Sequence, residues 1–173
     1  MNNWIIQLIG LAGTALYFIS FQFKSNRALF RVQFLSYAFY TAHMLLLGAV
    51  TGGVSYVINL IRSLCLASRV PFLRSRKMCA ILCAMQLLVP VFTWSGPISL
   101  LPVAANIAST VGGYTGNGRK IRFAGIFINS PLWIIYDILV GSWAGLLDEA
   151  LSETSMIASC IRYGGDELDR VQD

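Results

Sequence analysis

Charge is what this sequence has least of. Only 12% of its 173 residues are charged, against 56% hydrophobic. Residues 1–23 carry no charge at all, and neither do residues 78–118. A soluble domain of this length needs far more charge to cover its surface, which excludes a water-soluble globular fold. Acids are missing from the first three quarters: all eight lie at or after Asp137. There is one histidine, His43, and the four cysteines (Cys65, Cys79, Cys83, Cys160) all sit in apolar segments. Cys79 and Cys83 are one helical turn apart without further ligands nearby. They read as packing residues, and no metal centre or cofactor is expected. No Ser-His-Asp set appears either. The glycine-rich stretch Gly112-Gly113-Tyr114-Thr115-Gly116-Asn117-Gly118 lacks the lysine-serine ending of a phosphate loop, so an enzyme is not expected. The start, Met1-Asn2-Asn3-Trp4, has no basic n-region of a signal peptide, so the first apolar segment reads as a retained helix.

What is present is a series of apolar segments, each close to the roughly 20 residues that a spanning helix needs. Helices are expected at 4–22, 28–47, 50–68, 77–94, 98–114, 121–140 and 143–163. The basic residues gather in alternate connectors: Lys24, Arg27 and Arg31; Arg62, Arg69, Arg74, Arg76 and Lys77; Arg119, Lys120 and Arg122; Arg162 and Arg170. The turns at 48–53, 94–97 and 141–142 contain none. Basic segments near helix ends resist translocation and stay in the cytoplasm. Seven crossings with the N-terminus outside and the C-terminus inside follow. The net charge of +5 is then a topology signal and not a nucleic-acid signal. The lipid bilayer is the first expected partner. Pro90, Pro102 and Pro131 fall inside expected helices, where each removes a hydrogen bond and makes either a kink or a hinge.

The chain also contains an internal repeat. Residues 40–48 align with residues 133–141, Gly52 with Gly145, Arg27 and Phe30 with Lys120 and Phe123, and residues 59–62 with 159–162 after seven extra residues. Each copy is one helix, a basic loop and two more helices. Two odd-numbered units of equal polarity need one extra crossing between them. The expectation is an all-α membrane protein with a 3+1+3 arrangement of two parallel three-helix repeats. Residues 1–70 form the first repeat, 71–96 the inverting linker helix, 97–165 the second repeat and 166–173 a cytoplasmic tail. Parallel repeats of this kind place a substrate site near the membrane midplane.

The segments Phe18-Ile19-Ser20-Phe21-Gln22-Phe23-Lys24-Ser25-Asn26-Arg27 and Asn129-Ser130-Pro131-Leu132-Trp133-Ile134-Ile135-Tyr136 resemble the YgjV-type bacterial inner-membrane proteins. That likeness covers most of the chain and implies a bacterial inner-membrane location. The 3+1+3 plan more distantly resembles the PQ-loop superfamily, which includes SWEET sugar transporters, cystinosin and the KDEL receptor. Phe21-Gln22 and Tyr114-Thr115 stand where a Pro-Gln pair often ends the first helix of each repeat in that superfamily. The SWEET-like resemblance implies a substrate site of Tyr40, His43 and Asn59 from the first repeat and Trp133, Tyr136 and Ser159 from the second. Amides and aromatic faces there suit a small polar solute. It also implies alternating access; a receptor or scaffold on the same fold is the other reading.

Two groups of charges need an account. Arg62 and Arg162 read as inner-face charges that snorkel. Among the acids, Asp137 lies in the sixth helix, and Asp148, Glu149 and Glu153 open the seventh. A buried cluster of His43, Asp137 and Glu149 would suit proton coupling, because burial favours the protonated carboxyl. The competing expectation has the acids wet at the outer mouth and His43 as a packing residue.

Overall fold

The computed structural model describes residues 3–169, nearly all of them helical. The helices are α1 (Asn3–Ser20), α2 (Asn26–Leu46), α3 (Val50–Ala67), α4 (Arg76–Thr93), α5 (Leu100–Tyr114), α6 (Gly118–Val140) and α7 (Trp143–Asp169). Arg170 and the end of the 166–173 tail lie outside the described residues. The expected helices match these to within about three residues at each bound, except at the end of α7. There Gly164 breaks the helix at φ 67°, ψ 167° and the chain then turns helical again.

Local chemistry sets the helix starts. Ser25, Ser75 and Asn117 cap α2, α4 and α6 by accepting from the amides of Ala28, Met78 and Lys120. Gly48 and Gly141 close the α2–α3 and α6–α7 turns with φ of 80° and 72°, which glycine adopts without strain. The two turns bond alike: the Ala49 amide donates to Met44 O and the Ser142 amide to Asp137 O, both at 2.9 Å.

Pro90 interrupts the α4 ladder from within. Pro102 does not interrupt α5. It sits in the first turn, behind a 3₁₀ turn at Pro97–Ser99, where its missing N–H has no partner to lose. Pro131 follows a π turn at Gly125–Asn129, where the Ser130 amide reaches back to Gly125 O. The wider turn makes room for the proline ring inside a continuous helix.

Packing follows one order in each half. α2 lies between α1 and α3, α6 lies between α5 and α7, and α4 joins α3 to α5. α1 also packs along α7 and closes the bundle. The outward faces are apolar: Leu8, Leu35, Val57, Leu88, Phe92, Phe127, Ile138 and Ile161 are all exposed. The interior holds many polar groups, among them Gln33, Asn59, Gln86, Asn106 and Asp148. An apolar outside around a polar inside is what hydrocarbon selects. Trp4, Trp94 and Trp143 are exposed at the starts of α1 and α7 and in the α4–α5 turn, so they share one end. Arg27, Arg69 and Arg74 meet at the other end.

By length and composition alone, α1, α3, α4 and α6 are apolar enough to cross a membrane. α5 is only 15 residues long, and α2 and α7 carry rows of buried polar residues that lower their hydropathy.

Candidate functional site

The aromatic side chains build the site's frame. Tyr17 of α1, Tyr37 and Tyr40 of α2, Tyr56 of α3 and Trp133 of α6 are all buried. Tyr56 is the centrepiece: it stacks on Tyr40 at 5.2 Å and on Trp133 at 4.6 Å between ring centroids. Trp133 meets Tyr136 edge-on at 5.4 Å. Such contacts add roughly 1 kcal/mol each beyond area burial. They help tie the first three helices to the sixth.

Polar groups converge on the space beside these rings. A cavity is lined by Tyr17, Tyr37, Tyr40, Tyr56, Asn59, Asn129, Trp133, Asp148 and Glu149. Its volume of about 10 Å³ is room for roughly one water. Asn59 Nδ2 donates to Asn106 Oδ1 at 2.7 Å, linking α3 to α5, while Asn59 Oδ1 has no partner. Asp148 Oδ1 accepts from Ser152 at 3.0 Å. Glu149 Oε2 has no partner. Asn129 Oδ1, inside the π turn, accepts from Ser109 at 2.7 Å.

Of the residues expected to bind substrate, Tyr40, Asn59 and Trp133 line this cavity, and Tyr136 abuts it through Trp133. The Tyr136 hydroxyl accepts from the Gly52 amide at 3.0 Å. The structure does not bring His43 or Ser159 to the same place. His43 is fully buried between α1 and the α6–α7 turn, with Nδ1 2.8 Å from Ile6 O and Nε2 2.9 Å from Ser142 Oγ. Both ring nitrogens are satisfied, so it packs and positions. Ser159 donates to Met156 O and accepts from Arg122 Nε near the basic end. The seven-residue insertion moves the second copy's α7 register, so alignment with Asn59 does not carry spatial equivalence.

The charges depart most from expectation. Asp137, Asp148 and Glu149 are 1%, 3% and 3% exposed, so these acids are not wet. Tyr17 of α1 and the rings of α2, α3 and α6 surround Asp148 and Glu149. Asp137 lies against Ser142 and Gly145, with Oδ1 unpartnered. It shares Ser142 with His43, which is as near as the expected His43–Asp137–Glu149 cluster comes to a single hydrogen-bonded unit. Arg62 does not snorkel: it is 2% exposed. Its guanidinium donates to the Tyr37 hydroxyl at 2.8 Å, and that hydroxyl lies 3.4 Å from Tyr17. Arg162 is exposed as expected and donates to Gln22 at 2.8 Å. Arg122, counted with the inner loop, is buried and donates to Phe21 O and Gly118 O, each at 3.0 Å.

The sequence reading missed Tyr17, Tyr37, Tyr56, Asn106 and Asn129 as members of the site. Asn106 had a signal, since it is one of few strongly polar residues in the uncharged run 78–118. The tyrosines had none beyond their crowding in the first third of the chain. Among the described residues no group of three or more His, Cys, Asp or Glu is placed to hold a metal ion.

The sequence model of the Imp-YgjV family, described as bacterial inner membrane protein, matches residues 4–167. No curated protein and no solved structure matches the chain.

Proposed function

Because the chain belongs to the Imp-YgjV family of bacterial inner membrane proteins, we propose that its buried polar core is the closed site of a small-solute transporter. Seven helices in a 3+1+3 plan of parallel repeats would then alternate access around that site. The shared packing order of α1–α2–α3 and α5–α6–α7, the α4 connection and the matching turns at Gly48 and Gly141 support the plan.

One observation carries the reading. Asp148 and Glu149 are buried beside Asn59, Asn129 and five aromatic rings, and both Glu149 Oε2 and Asn59 Oδ1 lack partners. Each intramembrane carboxylate costs roughly 3 kcal/mol in hydrocarbon. A fold that needed only to pack would replace them with apolar side chains. The unpartnered oxygens suit a ligand with hydroxyl or amine donors, and the carboxyls suit proton exchange when the site opens to water. Tyr40, Asn59, Trp133 and Tyr136 are the proposed substrate contacts. Asp148 and Glu149 are the proposed proton carriers, and Asp137, with His43 on the other side of Ser142, is a supporting group.

The small cavity favours the second reading, a membrane receptor or scaffold without a transport cycle. Proteoliposomes separate the two. Solute-dependent acidification is measured across neutral sugars, amino acids and nucleosides. The expected outcome is flux for one class, lost in Glu149→Gln and in Asn59→Ala/Trp133→Ala. Flux that survives the double variant overturns the site. No flux with any class in wild-type vesicles selects the receptor reading.

A further inference from the structure

A second cavity lies away from the polar core, at the basic end. It is about 440 Å³ and is walled by the start of α2, the end of α3, the 3₁₀ turn at Pro71–Arg74 and the end of α5. Its volume falls within the range of small-ligand sites. Arg27, Arg69 and Arg74 line it, and no described carboxylate does. Topology explains why arginines sit on this side of the membrane, but it does not explain why three of them face one concave space.

Hydrogen bonds between neutral groups fix two of the walls. Asn26 Nδ2 donates to Gly116 O at 2.7 Å and pins α2 to the end of α5. The Tyr114 hydroxyl donates to Leu73 O at 2.9 Å and pins α5 to the 3₁₀ turn. Between these two struts, Arg27 Nε is buried without a hydrogen-bond partner. A buried guanidinium N–H without an acceptor is costly, and an oxygen of a bound anion would remove that cost. Phe30 and Leu66 supply an apolar wall on the inner side.

We infer that this pocket binds a phosphate-bearing anion, either the headgroup of an anionic phospholipid or a free phosphate ester, through Arg27 and Arg69. Planar guanidiniums match phosphate oxygens in a two-point geometry that lysine does not offer. Two guanidiniums match the one to two negative charges of a phosphate group, and Phe30 and Leu66 suit the acyl side of a lipid headgroup. The inference stands whether or not the polar core transports anything.

The test uses the full chain purified in detergent. Glycerol 3-phosphate binding is measured by calorimetry. Retention of dioleoyl phosphatidylglycerol against dioleoyl phosphatidylcholine is measured by native mass spectrometry. Arg27→Gln/Arg69→Gln is compared with Arg31→Gln/Lys77→Gln, which removes the same charge from exposed residues outside the pocket. The pocket pair is expected to weaken binding about tenfold or more, with the control pair near wild type. Equal helical content and equal melting in both pairs exclude misfolding as the cause. Binding of both probes identifies a site for free phosphate esters; binding of phosphatidylglycerol alone identifies a lipid headgroup site. Binding of neither probe, or equal weakening by both pairs, overturns the inference.

Discussion

At the residue scale, Arg62 and Arg122 place guanidiniums inside the helix packing, and each meets neutral oxygens there. Arg122 joins three helices: it donates to Phe21 O just past α1, to Gly118 O in α6 and to Ser159 in α7. It thereby satisfies a carbonyl left open where α1 ends. Arg122→Ala leaves the Phe21 carbonyl buried without this donor. It is expected to destabilise by roughly 2–4 kcal/mol, read as a drop in the detergent melting temperature. Arg122→Lys is expected to recover only part, because one ammonium cannot reach all three acceptors. An arginine near a helix end looks the same in sequence whether it snorkels or turns inward. For Arg122 the difference lies in the approach of the α1 end and α7, and for Arg62 in the approach of α2 and α5. Asn59 was legible by contrast, since an asparagine in an apolar helix has few reasons to be there other than a partner or a ligand.

At the element scale, α6 departs from α-helical geometry in mid-span. The π turn at Gly125–Asn129 widens the ladder ahead of Pro131 and turns Asn129 toward Ser109. Restoring the N–H with Pro131→Ala removes the steric reason for the wide turn. The segment 123–133 is expected to exchange its amide hydrogens more slowly in Pro131→Ala than in wild type. Unchanged exchange would mean that the Ser109–Asn129 bond holds the π turn. The helix bounds were legible because capping residues, turn glycines and apolar runs are local signals. The π turn was not, since a proline in sequence predicts disruption without its form. Pro102 carries the same lesson: only the preceding 3₁₀ turn places it harmlessly at a helix start.

At the scale of the whole molecule, the two ends differ in kind. Exposed Trp4, Trp94 and Trp143 mark one end, where amphipathic rings settle at a membrane interface. Arg27, Arg69 and Arg74 mark the other. If the basic end faces the cytoplasm, Ser95→Cys in the α4–α5 turn is expected to react with an impermeant maleimide from outside the inner membrane. Val70→Cys, beyond α3, is expected to react only after lysis. Both are introduced into a chain whose four native cysteines are replaced by serine. The reverse pattern inverts the orientation expected from the basic connectors. The tryptophan belt was present in the sequence, but reading it needed the helix ends to be assigned first.

Composition by itself determined that this is a helical membrane protein, because hydrocarbon admits few charges and leaves each backbone group to be satisfied within its own helix. Periodic runs and local caps placed the helices, and the basic connectors marked one end. Tertiary structure alone decided which polar residues meet. Tyr56 stands between Tyr40 and Trp133, Asn59 pairs with Asn106, and His43 and Ser159 go elsewhere. It also decided that Asp137, Asp148 and Glu149 are dry. The physical reason is that burial of a side chain depends on which helix packs across it, and no local run of residues encodes the face of a distant neighbour.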